Sequence, residues 1–71
     1  MKMNRIKEAL QEKDLTQVWL AAQLGKSFKM VNAYACNRKQ PSLETLFVIA
    51  DLLGVEVKDL IEENKKDNGK I

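Results

Sequence analysis

Histidine is missing from this 71-residue chain, and cysteine occurs once, as Cys36. A Cys/His zinc constellation and a disulfide staple are both excluded, so the fold has to stand on its apolar core. No apolar run approaches the ~20 residues that cross a bilayer as a helix, and no membrane partner is expected. The opening stretch, MKMNRIKEAL, lacks the continuous apolar segment of a secretory leader, so a cytoplasmic address is expected. There is no phosphate-binding glycine loop and no convincing carboxylate pair; Glu62 and Glu63 read as solvated helix positions. An enzyme is therefore not expected, and neither a metal nor a cofactor is called for. Acidic residues are also missing from one long stretch, between Asp14 and Glu44.

What is present is a composition 45% hydrophobic and 31% charged, which fits a soluble globular domain rather than a disordered chain. One domain is all this length allows. A domain of this size buries about 60% of the surface its unfolded chain exposes, which makes a deep catalytic cleft hard to enclose. The net charge of +2 conceals a division. Residues 1–43 carry eight cations against three acids, and residues 44–71 carry four against seven. A polyanion would be drawn to the first half and repelled by the second.

No alternating strand pattern persists, and helix formers dominate. Asn4 reads as the N-cap of a first helix running to about Lys13, with Ile6, Ala9 and Leu10 on one stripe and Asp14 as its breaker. Thr16 caps a second helix to Leu24, with Leu20, Ala21 and Leu24 inward; Gly25 suits the left-handed residue that ends it. Ser27 caps a third, from Phe28 to Cys36, which Asn37 can close. Residues 37–41 form a loop that Pro41 keeps out of any helix. Ser42 caps a fourth helix, Leu43 to Leu53, stopped by Gly54. A fifth is expected from about Lys58 to Asn64, with Leu60 and Ile61 facing the core. The folded domain then spans residues 1–64, and 65–71 form a polar, frayed tail. The expected fold is all-α, a compact five-helix domain.

The informative part runs from Leu15 to Leu46. Two short helices joined at a glycine make a helix-turn-helix, whose second member enters the DNA major groove. Close crossing needs a small residue in the first helix (Ala21), a left-handed turn (Gly25) and a buried aliphatic in the second helix (Val31). All three stand at compatible spacings. Leu15-Thr16-Gln17, Leu20-Ala21 and Leu24-Gly25, then Ser27, Val31 and Tyr34, resemble the xenobiotic-response-element family of regulators, relatives of lambda repressor and Cro. Pro41-Ser42-Leu43-Glu44-Thr45-Leu46, Ala50 with Leu53-Gly54-Val55, and Leu60-Ile61 extend the resemblance over residues 4–62.

The resemblance implies sequence-specific binding of double-stranded DNA by a small transcriptional regulator, a repressor, with residues 28–36 as the recognition helix. Gln17 would hold a phosphate and brace that helix. Ser27 would cap it, and Phe28, Lys29, Asn32 and Ala33 would point into the groove. Lys29 can donate to guanine O6 and N7, Asn32 can pair with adenine N6 and N7, and Phe28 and Ala33 can touch thymine methyls. Asn37, Arg38, Lys39 and Gln40 would grip backbone phosphates. Solvated charge or core packing is the plain alternative for each; Cys36 reads as a small, half-buried apolar residue.

The chain departs from the family in four places, the first being Asn37, which stands where relatives usually have a glycine after the recognition helix. An arginine–glutamate pair common among relatives is Leu10 and Ala35 here, which strands no charge. The recognition helix carries one charge, Lys29. Trp19, Val48 and Leu52 are apolar where relatives tend to be polar, and Trp19 is expected to be exposed. We read these three as a surface for a homodimer on a palindromic operator, or for a protein partner. The competing function is an antitoxin-like or regulatory protein-interaction module with a repressor-like fold.

Overall fold

The computed structural model describes residues 2–63. Four α-helices follow in order, α1 (Ile6–Glu12), α2 (Gln17–Leu24), α3 (Phe28–Ala35) and α4 (Leu43–Leu53), and then a single 3-10 turn (Val57–Leu60). The all-α expectation holds, with four helices and a turn in place of five helices.

The helix boundaries follow from side-chain chemistry. Thr16, Ser27 and Ser42 each sit in extended backbone, and their hydroxyls accept from the N–H groups of Trp19, Met30 and Thr45 at 3.0–3.1 Å. Each satisfies one of the four N–H groups that a helix start leaves unpaired. The other ends share a second device. Asp14, Gly25, Asn37 and Gly54 all have φ between +57° and +70°. Each donates its N–H three residues back, and the next residue donates five back, as in Lys26 N–H to the Ala21 carbonyl at 3.1 Å and Arg38 N–H to Ala33 at 2.9 Å. This is the Schellman closure, and it reverses the chain within two residues.

Two ends differ from expectation. Asn4 is not the N-cap of α1; that position belongs to Arg5, whose side chain makes no capping bond. Asn4 is instead buried, only 3% exposed, and all its partners but Ile6 are distant. Its Nδ2 donates to the Tyr34 carbonyl (2.9 Å) and to Gln40 Oε1 (2.7 Å), while its Oδ1 accepts from Ile6 N–H (3.1 Å). The expected fifth helix shrinks to the 3-10 turn because Ile61 becomes extended and pairs with Asn4 in an isolated antiparallel bridge. Arg5 N–H donates to Leu60 O at 2.8 Å and Glu62 N–H to Met3 O at 2.9 Å. Ile61 is consequently exposed rather than in the core. Asn64 and the tail 65–71 lie outside the described residues.

The core gathers Ile6, Leu20, Val31, Ile49 and Leu60, all fully buried, with Leu10, Ala21, Tyr34, Leu46, Ala50 and Leu53 around them. Every element contributes. Leu10 and Ala35 are both buried, so apolar packing occupies the place of the relatives' charge pair. Trp19 corrects another expectation: it is half-buried and packs against the core, as does Leu52. No described helix is long and apolar enough to cross a membrane.

Candidate nucleic-acid interface

Helix α2 packs chiefly against α3. Ala21 lies at their contact, 6% exposed, and Val31 is completely enclosed. With those residues inward, the first turn of α3 faces outward. Ser27 and Lys29 are exposed, and Phe28 is 51% exposed, so it does not pack under its own turn as a core residue. Met30 packs against the core, while Asn32 and Ala33 are half-buried one turn further on. A fixed helix thus presents one aromatic and one cation at its N-terminal end, with the Ser27 cap beside them.

The loop after α3 divides the four residues expected to grip phosphate. Arg38 and Lys39 are exposed. Asn37 and Gln40 are half-buried and turned into the protein. Asn37 Oδ1 accepts from the N–H groups of Met3 (2.7 Å) and Asn4 (2.9 Å) and from Gln40 Nε2 (3.1 Å). Its Nδ2 donates to the Asn4 carbonyl at 3.2 Å. The two amides therefore tie the loop to the N-terminal segment, and the two cations stand on that anchored base. Asn4 completes the anchor. Sequence reasoning missed its part because an asparagine before a helix reads as a local cap, whereas these partners lie 30–36 positions away.

Three expected site residues join in one chain. Arg38 Nη2 donates to Asn32 Oδ1 at 2.7 Å, and Asn32 Nδ2 donates to Gln17 Oε1 at 2.9 Å. The first residue of α2, the middle of α3 and the loop are thereby linked across the surface. The sequence from 15 to 43, which supplies α2, α3 and the loop, contains no carboxylate, a composition that suits an anion-binding face. Lys2 and Glu8 pair elsewhere; that contact holds the Glu8 carboxyl below its ordinary range and raises the Lys2 ammonium.

Of the three residues expected to form a dimer or partner surface, only Val48 is exposed. It lines a shallow pocket with Leu24, Lys26 and Thr45. Leu43 (65% exposed) and Phe47 (58% exposed) are apolar neighbours on α4 that the sequence reading did not single out. Their i, i+4 spacing was the available signal.

Comparison with known proteins bears on this geometry. A helix-turn-helix family model matches residues 6–60. A crystal structure of a candidate DNA-binding protein from Bacteroides fragilis is similar, with 45% identity and a TM-score of 0.84. The similarity covers 87% of this chain and 100% of that one. No curated protein matches.

Proposed function

Because the chain belongs to the helix-turn-helix family, of the xenobiotic-response-element type, we propose that it binds double-stranded DNA sequence-specifically as a small transcriptional repressor. Helix α3 enters the major groove, where Lys29 donates to guanine and Phe28 meets thymine methyls. Arg38 and Lys39 contact phosphates and set the register. The observation that carries this reading is the outward first turn of α3, with Phe28 and Lys29 exposed on a helix whose other face is locked by Val31. Two copies on a palindromic operator compensate for the single charge on α3, and the exposed apolar residues of α4 offer the contact between them.

Fluorescence anisotropy of a duplex from upstream of the protein's own gene, against a scrambled duplex, tests this. A preference of at least ~10³-fold for the native duplex is expected. Lys29→Ala should lower native-duplex affinity by about 10- to 100-fold and leave scrambled binding much less affected. Equal, weak, salt-sensitive binding to both duplexes would reduce the activity to non-specific electrostatics.

A second reading has one observation in its favour. Leu43, Phe47 and Val48 expose apolar surface on α4, as a module that holds a protein partner would. Light scattering separates the two uses of that surface. A dimer at tens of micromolar supports self-association, and a monomer leaves the patch to another protein.

A further inference from the structure

We propose that Asn32 is a positioning residue, which fixes Gln17 as a hydrogen-bond donor toward a DNA phosphate rather than reading a base itself. The inference rests on the DNA-binding reading and reassigns one residue within it.

The argument begins with what each group can do. A guanidinium carries five donors and no acceptor. Arg38 bonds to Asn32 at 2.7 Å, so the atom of Asn32 that faces it has to be the amide oxygen. The amide nitrogen is then the atom turned to Gln17. Since that nitrogen only donates, Gln17 has to answer with its own oxygen, at 2.9 Å. Chemistry alone fixes the direction of the whole chain: Arg38 to Asn32, Asn32 to Gln17. Gln17 is left with its NH₂ group as the free end of the relay. A glutamine amide ordinarily turns either end to a ligand, but here the donor end is selected, and a phosphate oxygen is an acceptor. Bonds that run head to tail also polarise one another, which strengthens the last donor.

The same bonds engage Asn32 at both ends. Bidentate pairing with adenine needs its oxygen and an N–H together on one base edge. Such pairing would have to share with a base the same oxygen that holds Arg38 and the same NH₂ group that holds Gln17, in competition with both bonds. Asn32 is also half-buried, whereas Phe28 and Lys29 are exposed on the outer turn. Base reading is left to that turn, and Asn32 serves the backbone contact at one remove.

The test has two arms. In the free protein, side-chain amide resonances of Gln17 and Asn32 are recorded in wild type and in Arg38→Ala, a change at an exposed residue. Both resonances should shift, because the relay passes through Asn32; an unmoved Gln17 amide overturns the relay whether or not DNA binds. In the second arm, Asn32→Ala, Gln17→Ala and the double variant are titrated against native and scrambled duplexes, with circular dichroism confirming the fold of each. Each single change should weaken both duplexes equally, by about tenfold, the loss expected for one hydrogen bond to a charged acceptor. The double variant should be no weaker than the singles. Loss confined to the native duplex would make Asn32 a base reader, and additive losses would separate it from Gln17; either overturns the proposal. Failure of the wild type to bind any duplex removes the DNA reading, and the phosphate role with it, while the first arm still decides the relay.

Discussion

Asn4 shows how much one residue can organise. Its two Nδ2 hydrogens, its Oδ1 and both its backbone groups are bonded, to Tyr34, Gln40, Ile6 and Asn37. A buried amide is tolerated only when satisfied in this way, and removing it leaves its former partners unpaired. Asn4→Ala is therefore expected to cost about 2–3 kcal/mol, read as a lowered urea midpoint at unchanged slope. A midpoint within error of wild type would mean that water replaces the amide freely. Apart from the local bond to Ile6, none of these partnerships was legible in the sequence. The buried aliphatics were, because Ile6 and Leu10 recur at helical spacing within α1 and Leu20 heads the stripe of α2, and periodicity reports burial; Val31 followed from the crossing that the two helices require. Trp19 was misread for a related reason: a large aromatic at a position polar in relatives looks exposed, yet its ring covers the core edge. Cys36, read as half-buried, is exposed.

At the scale of the element, the chain punctuates itself with short-range signals, which is why sequence reasoning located α2, α3 and α4 to within a residue or so. A hydroxyl three residues before a free N–H and a left-handed residue after the last turn are local features. Gly25 deserves the sharper test, since it sets the angle between α2 and α3. A methyl group there would meet no atom within 4 Å, so only the backbone at φ +66° resists substitution. Gly25→Ala should cost about 1–2 kcal/mol by thermal unfolding, and Gly25→Asn less, because asparagine visits this region more readily. A neutral Gly25→Ala would show that the turn relaxes. The last element failed as an expectation for the opposite reason. Leu60 and Ile61 carry a helical pattern, but the pairing that draws Ile61 into a bridge depends on Asn4, far away in sequence.

Across the whole molecule, the division of charge and the clasp between the ends act together. Lys2 pairs with Glu8 and lies 3.7 Å from Glu62, and Arg5 lies 3.8 Å from Glu62. The pairing holds Glu8 below its ordinary value of 4.5. A depressed carboxylate stabilises the fold above the unfolded value, and that contribution disappears as pH falls through the folded one. The melting temperature should drop more steeply below pH 4.5 in wild type than in Glu8→Gln, by a modest amount because the pair is solvent-exposed and screened. Superimposed curves would show that the pair contributes nothing. The basic half of the chain was readable from composition. Which of its polar residues face outward was not, since Asn37, Gln40 and Arg38 all suit a solvated loop and folding decides what is set beside each.

The bridge between Asn4 and Ile61 has a topological consequence. Residues 57 positions apart lie side by side there, so the described chain is nearly a ring, cut at one place. A ring has no intrinsic beginning. Joined across that gap by a short linker and reopened between α3 and α4, the same helices would be strung in a different order around the same core. The loop of Arg38 and Lys39 would then carry the new ends, and it alone would lose the anchorage that continuity of the backbone provides.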